Sequence, residues 1–181
     1  PLIRGPINNF SPDDILRDAE ECVADGALEL NIIAQDITSY NRDGVDLPAL
    51  VEKISGIDKL RWIRLLYCHP DRITDRIIAL FKENSKVVPS IDIPFQHVNP
   101  RILSSMGRKG SPEIYGNLVA MLRREVPSIR IRSTLMAGYP GETAEEFREL
   151  LDFLKSARLD RVGCFTYSPE EDTAASALDD N

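Results

Sequence analysis

Cysteine and histidine are scarce in this chain, whose 181 residues include three cysteines and two histidines. Cys22, Cys68 and Cys164 form a small, odd-numbered set, which fits a reducing compartment better than a disulfide framework. No two of these cysteines stand at a metal-ligand spacing such as C-x-x-C, and the only histidines are His69 and His97. Local spacing therefore predicts no metal ligands within the chain.

Long apolar runs and an excess of positive charge are lacking too. No run approaches the ~20 apolar residues that cross a bilayer, and no basic, apolar leader opens the sequence, so we expect no membrane partner and no signal peptide. The formal net charge is −7, which argues against direct nucleic-acid binding. Because 43% of the residues are hydrophobic and 28% are charged, we expect a folded globular protein, and the low cysteine count favours the cytoplasm as its location. The composition leaves the oligomeric state open.

Three common catalytic motifs are absent as well. The sequence contains no G-x-G-x-x-G, no G-x-x-x-x-G-K-[ST] and no G-x-S-x-G, so dinucleotide binding, P-loop chemistry and α/β-hydrolase chemistry have no motif support. No nucleophile stands beside a base in the sequence. No catalytic residue is therefore assigned from the motifs.

The sequence does contain an alternation of strand and helix patterns. Five short apolar or β-branched runs predict strands, which span residues 28–34, 62–67, 87–93, 129–136 and 162–167. Helical stripes lie between these runs, and capping signals mark helix starts at Ser11-Pro12, Ser111-Pro112 and Thr143–Glu146. This alternation predicts an α/β protein with a parallel sheet, either doubly wound or closed as a barrel.

The first predicted element is a helix, which suggests that a strand preceding it is missing. We expect residues 1–167 to form the core of the domain. Residues 168–181 are acidic and rich in alanine and serine, without an apolar period, so they are predicted to be a loop or tail.

Polar residues or glycine follow the predicted strands, as in Gln35-Asp36, Gln96-His97, Gly138–Glu142 and Tyr167-Ser168. Because the carboxyl ends of parallel strands converge on one rim, this set favours a ligand site. Structural explanations exist for single members: Asp36 could cap a turn, and Gly138–Glu142 could be a tight strand-helix turn. The residues alone therefore predict a ligand-binding α/β fold and no particular reaction.

Arg132 and Ser133 interrupt an otherwise apolar strand run, and Asp92 lies inside another. A buried arginine or aspartate is costly without a partner, so these side chains are expected to point into a polar barrel interior. The alternative is that they face helices or solvent at a sheet edge. For Arg132-Ser133, near the carboxyl half of the strand, we favour a ligand role.

Five segments of the chain together resemble the radical S-adenosylmethionine (SAM) domain of the methylthiotransferases. They are residues 34–40, 92–97, 101–108, 132–143 and 160–171. Gly138-Tyr-Pro-Gly-Glu-Thr143, with its preceding strand, is the most specific piece. The resemblance covers about residues 1–178 and implies a partial parallel (β/α)6 TIM-like barrel of the radical SAM type, lacking its first strand and cluster loop.

The resemblance also implies a set of SAM-binding residues. Gln35 matches the position that contacts the methionine end of the cofactor. Gln96, Arg132 and Ser133 would hold polar groups around its ribose and carboxylate. The remaining residues would approach the adenine, and they are Gly138, Tyr139, Phe165 and Tyr167.

The chain departs from the family at the iron–sulfur site. The C-x-x-x-C-x-x-C loop that ligates a 4Fe-4S cluster in the family is not in this sequence, and Cys22, Cys68 and Cys164 do not replace it. We expect the full-length protein to carry 4Fe-4S clusters, whose ligand cysteines are absent from this chain. The chain alone is therefore predicted to be inactive.

Three details favour one branch of the family, the branch that methylthiolates an aspartate of a small-subunit ribosomal protein. They are Gln35-Asp36, Gln96-His97 and the 165–171 segment. The expected partner is therefore a ribosomal protein substrate. Two alternatives stay open: a tRNA methylthiotransferase of the same family, and a cluster-free barrel that only binds a ligand or partner.

Overall fold

A computed structural model describes the following part of the chain: residues 8–170, Thr173, Ala175 and Leu178. The chain consists of two compact units. Unit 1 contains the described residues up to Cys68 and then Arg72–Pro89, and unit 2 contains His69–Asp71 and the described residues from Ser90 onward. Most of the predicted tail beyond Glu170 lies outside the described residues. No helix among the described residues is long and apolar enough to cross a membrane.

Unit 1 is built on two parallel strands. Its helices and strands are α1 (Pro12–Ala24), β1 (Glu29–Ile32), β2 (Asn41–Arg42), β3 (Val45–Asp46), α2 (Leu47–Ser55), β4 (Trp62–Leu65) and α3 (Asp75–Glu83). β1 pairs with β4 in parallel, with Glu29 opposite Trp62 and Ile32 opposite Leu65. The parallel strands β1 and β4 and the three helices of this unit confirm the predicted pattern.

Unit 2 contains the longer strands. Its elements are the end of β5 (Val87–Asp92), α4 (Pro100–Ser105), α5 (Pro112–Glu125), β6 (Arg130–Ala137), α6 (Ala144–Ala157) and β7 (Arg161–Thr166). β5 pairs with β6 in parallel, and β6 pairs with β7 in parallel over six residue pairs. These parallel pairs confirm the predicted sheet type, which places the carboxyl ends of β5, β6 and β7 at one edge.

The predicted capping signals all function as helix starts. The Ser11 hydroxyl accepts a hydrogen bond from the Asp14 amide at 3.1 Å, and the Ser111 hydroxyl accepts one from the Ile114 amide at 3.1 Å. Thr143 forms a complete capping box at the start of α6. The N-terminal amides of a helix have no partners within it, so each cap contributes about 1 kcal/mol.

The sequence analysis missed the short antiparallel hairpin of β2 and β3. Its turn residues Asp43 and Gly44 have φ of 53° and 77°, which is the geometry of a type I′ turn. Asp-Gly is a favoured pair for this turn, so the sequence carried the signal. The strands have only two residues each, too few to show an alternation.

Three aromatic rings form the centre of unit 2. Phe95 stacks on Tyr115 with ring centroids 4.5 Å apart, and Phe153 of α6 meets Phe95 edge-on at 5.7 Å. The Tyr115 hydroxyl donates a hydrogen bond to the Lys109 carbonyl at 2.8 Å. Burial raises the pKa of Tyr115 to about 12, so the hydroxyl stays protonated and remains a donor at neutral pH.

Arg101 ties α4 to the start of α6. Its Nε and Nη2 donate to the two carboxylate oxygens of Glu146 at 2.6 and 2.5 Å, and Nη2 also donates to the Gly141 carbonyl at 2.6 Å. Glu146 accepts a further bond from the Thr143 amide. The bonds from Arg101 are the main reason that the pKa of Glu146 falls from 4.5 to about 2.

We expect Glu146→Gln to lower the free energy of unfolding by about 1–2 kcal/mol at pH 7, since Arg101 is 57% exposed and solvent screens the pair. The folded-state pKa of Glu146 is depressed, so the carboxylate stabilises the fold above about pH 4.5 and this contribution is lost as the pH falls toward 2. Urea unfolding at several pH values measures both effects.

The matched control for this prediction is Glu149→Gln. Glu149 also joins the two segments, through the Asn99 amide group at 2.8 Å, but it is exposed. We expect this change to lower the free energy of unfolding by less than about 0.5 kcal/mol. Equal stability of Glu146→Gln and the wild type at pH 7 would contradict the prediction.

Candidate functional site

A cavity of about 390 Å³ lies in unit 2 at the carboxyl ends of the strands. We call it the rim cavity, and its wall includes Gln96, Ser105, Met106, Arg108, Met136, Tyr139 and Tyr167. The first of these follows β5, Met136 is on β6, Tyr139 follows β6 and Tyr167 follows β7. Three of the eight predicted cofactor-binding residues, Gln96, Tyr139 and Tyr167, thus meet at one cavity.

Gln96 is held in an unusual backbone conformation. Its φ is 68°, in the left-handed region that non-glycine residues rarely adopt. Its amide donates to the Thr134 carbonyl at 2.9 Å, and its carbonyl accepts from the Met136 amide at 2.7 Å. Both backbone groups are therefore fixed against β6, and strain retained in this way is common at ligand sites.

Gly138 and Tyr139 form the turn that follows β6. Gly138 has a φ of 71°, which glycine adopts without a Cβ clash. The Tyr139 hydroxyl donates to the Ser105 carbonyl at 3.2 Å and lies 3.2 Å from the Ser105 hydroxyl. The Tyr139 ring meets the Tyr167 ring edge-on with centroids 5.6 Å apart, so two aromatic rings form one side of the cavity.

The Tyr167 hydroxyl differs from most buried polar groups, which form hydrogen bonds. It is shielded from solvent and has no hydrogen-bond partner among the described residues. Leaving a buried hydroxyl unpaired costs about 1–3 kcal/mol, and such groups are rare in folded proteins. Because Tyr167 lines the rim cavity, a polar ligand atom in that cavity is the partner that this geometry favours.

Arg132 and Ser133 do not lie together, in contrast to the sequence prediction. Successive side chains of a strand point to opposite faces, and Ser133 is fully buried while Arg132 is 51% exposed. The Ser133 hydroxyl accepts a hydrogen bond from the Phe95 amide at 3.2 Å. Ser133 therefore supports the loop after β5 from the packed side of the sheet.

Arg132 lies on the open face of β6 beside a buried acid. Its Nε is 3.9 Å from an oxygen of Asp92, whose side chain is 3% exposed. The register places these two residues opposite each other on β5 and β6. Asp92 and Arg132 therefore lie on the same face of the paired strands, and their position in a polar barrel interior stays a prediction.

Phe165 and Gln35 are both exposed and do not contribute to the wall of the rim cavity among the described residues. Phe165 is 63% exposed and stands opposite Met136 in the register of β6 and β7. Gln35 belongs to unit 1 and lies in a bend after β1. The next residue, Asp36, caps a 3-10 turn by accepting from the Thr38 amide at 3.0 Å, which is the structural role considered for it.

The sequence reasoning gave no role to the residues that α4 and the following loop contribute to the rim cavity. Ser105, Met106 and Arg108 come from the end of α4 and the loop after it, and Arg108 donates to the Pro94 carbonyl at 2.8 Å. They belong to a segment that carried the family resemblance. Their position after a helix, instead of after a strand, is the reason that a search of strand ends did not find them.

Within the described part of the chain, no three histidine, cysteine, aspartate or glutamate side chains form a group that could hold a metal ion. Cys22 lies on α1, Cys68 follows β4 and Cys164 lies on β7, and none of the three forms a disulfide bond. The described residues therefore do not fit a 4Fe-4S cluster.

Comparison with curated proteins gives relatives over almost the whole chain. A protein named ribosomal protein uS12 methylthiotransferase RimO from Pelotomaculum thermopropionicum is 46% identical over 98% of this chain, which corresponds to 41% of that protein. The protein of the same name from Geotalea uraniireducens is 43% identical over 99% of the chain and 41% of its own length. The chain thus spans about two fifths of these relatives, and they confirm the resemblance to methylthiotransferases.

Solved structures of low sequence identity share the fold. The radical SAM methyltransferase TsrM from Kitasatospora setae has a TM-score of 0.69 at 19% identity, covering 87% of this chain and 31% of that one. Coproporphyrinogen III oxidase HemN from Escherichia coli has a TM-score of 0.67 at 16% identity, covering 91% of this chain and 39% of that one. These likenesses confirm the α/β, TIM-like class. Because the family model of the radical SAM superfamily also matches residues 2–154, the chain belongs to that superfamily.

Proposed function

We propose that this chain is the SAM-binding core of a methylthiotransferase whose substrate is an aspartate of ribosomal protein uS12. The observation that carries this proposal is the 40–46% identity to proteins of that name over nearly the whole chain. The chain spans 41% of those relatives, so the activity is proposed for the full-length gene product. The proposed location is the cytoplasm, where ribosomal proteins are found.

The rim cavity has the chemistry that an adenosyl group requires. The Gln96 side chain offers a donor and an acceptor, the unpaired Tyr167 hydroxyl offers another polar group, and the Tyr139 ring offers an aromatic surface. Met106 and Met136 supply apolar, polarisable walls. We infer that these residues hold the nucleoside part of SAM, which when bound supplies the radical and methyl-transfer chemistry of the family.

Two further predicted residues keep proposed roles outside the wall of the cavity. Arg132 has an exposed guanidinium, which would pair with the carboxylate of SAM in a charge-assisted bond. Gly138 would let a ligand approach the backbone closely, since no Cβ covers it. No ligand role is proposed for Ser133, whose hydroxyl is already engaged by the Phe95 amide.

The direct experiment is an assay of the full-length gene product after anaerobic iron–sulfur reconstitution, with SAM, a reductant and a sulfur source. We expect mass spectrometry to find one added methylthio group on an aspartate of uS12. A methylthio group on tRNA instead would favour the alternative branch of the family. If SAM binds and neither substrate changes, the chain belongs to a protein with a different activity.

A further inference from the structure

A buried histidine–glutamate pair joins the loop that follows β5 to the turn that follows β6. His97 Nε2 is 3.1 Å from Glu142 Oε1, and the two side chains are 0% and 5% exposed. The other carboxylate oxygen of Glu142 accepts from the amides of Gly138 and Tyr139. One carboxylate therefore binds the imidazole and the backbone of the turn that follows β6.

The hydrogen bonds fix the tautomer of His97. Its Nδ1 accepts a hydrogen bond from the Asn99 amide at 3.0 Å, so this nitrogen carries no proton. The proton of the neutral ring is then on Nε2, which donates to Glu142.

The pair connects two segments that carry cavity residues. His97 directly follows Gln96, and Glu142 is bonded to the Tyr139 amide. The two segments are 45 residues apart in the sequence. Arg101 also holds this turn, through the Gly141 carbonyl, but that contact is exposed. The buried pair therefore joins the segment of Gln96 to the segment of Tyr139, in addition to the backbone bonds that hold Gln96 against β6.

We propose that His97 and Glu142 are positioning residues that set the rim cavity for SAM; this rests on the proposed function. They do not line the cavity among the described residues, so they act through Gln96 and Tyr139. Positioning of this kind matters because a displacement of about 1 Å in a binding group is enough to lose much of its contribution.

Glu142→Gln tests the pair with almost no change of shape. The glutamine oxygen still accepts from the turn amides, but its NH₂ group then faces the Nε2–H of His97. The imidazole cannot switch tautomer, because the Asn99 amide occupies Nδ1. In the full-length gene product we expect the Kd for S-adenosylhomocysteine, measured by calorimetry, to rise about tenfold. We also expect faster amide exchange in the peptide of residues 137–142.

Two variants of His97 separate the hydrogen bond from the volume of the ring. His97→Gln places an amide nitrogen near the position of Nε2 and keeps the donor to Glu142, so we expect a Kd within about threefold of wild type. His97→Leu keeps an apolar volume without the donor and should match Glu142→Gln. Glu149→Gln, which changes the exposed bond to Asn99, is the control and should leave the Kd unchanged.

The outcomes are distinguishable. If Glu142→Gln lowers the unfolding temperature but leaves the Kd unchanged, the pair is structural only and the inference is overturned while the proposed function stands. Equal losses in His97→Gln and His97→Leu would also overturn it, since the donor would then be irrelevant. If wild-type protein binds no S-adenosylhomocysteine, the proposed function and this inference both fail.

Discussion

Replacing Gly110 with alanine should lower the free energy of unfolding by about 2–4 kcal/mol. Gly110 has a φ of 150°, and a Cβ built there would overlap the Cζ and hydroxyl of Tyr115. The Tyr115 ring cannot move aside easily, because it is fully buried, stacks on Phe95 and donates to the Lys109 carbonyl. Either the loop before α5 or the central aromatic cluster of unit 2 must therefore shift. Urea unfolding followed by circular dichroism measures the loss.

Gly116→Ala is a matched control, for which we expect the opposite change in the free energy of unfolding. Gly116 lies inside α5, and an added Cβ there would meet nothing within 4 Å. Alanine is the better helix former, so Gly116→Ala should raise the free energy of unfolding by about 0.5–1 kcal/mol. If Gly110→Ala is as stable as the wild type, the aromatic cluster is more adaptable than its contacts indicate.

The strand and helix pattern was predictable because local signals and tertiary packing agree along most of the chain. Short apolar runs between capped helices predicted the five strands β1, β4, β5, β6 and β7, and the Thr143–Glu146 box predicted the start of α6 to the residue. The β2–β3 hairpin was missed because its strands are too short to alternate. Its only local signal is the pair Asp43-Gly44, whose positive φ values define the turn.

The site was predictable at the strand ends and less so within the strands. Parallel topology brings Gln96, Tyr139 and Tyr167 to one edge, and this follows from fold class alone. Arg132 and Ser133 were grouped because they are neighbours in the sequence, although alternation separates neighbours in a strand. Ile131 and Leu135 flank Ser133 at spacing two and are buried, so the buried face could have been identified from the pattern.

The buried pair of His97 and Glu142 shows the limit of the sequence reasoning. Each residue follows a different strand, and the hydrogen bond between them spans 45 positions. A contact at such a separation depends on how β5 and β6 align, which no local pattern specifies. The register of those strands, with Asp92 opposite Arg132, fixes the approach of the two loops.

Tyr167→Phe should have opposite effects on stability and on ligand binding. In the ligand-free protein the Tyr167 hydroxyl is buried without a partner among the described residues, so its removal should raise the free energy of unfolding by about 1 kcal/mol. In the complex the hydroxyl would bond to SAM, and its loss should raise the Kd for S-adenosylhomocysteine about five- to tenfold. The ring is retained, so the edge-on contact with Tyr139 remains.

Tyr139→Phe is the comparison that isolates the unpaired hydroxyl. The Tyr139 hydroxyl is bonded to Ser105, so removing it should lower the free energy of unfolding by about 1 kcal/mol, the reverse of the effect at Tyr167. Chemical unfolding of both variants of the full-length gene product measures their free energies of unfolding. Calorimetric titration measures their Kd for S-adenosylhomocysteine. If Tyr167→Phe destabilises the ligand-free protein as Tyr139→Phe does, its hydroxyl already has a partner in the ligand-free protein. The rim cavity would then lose its strongest indication of a polar ligand.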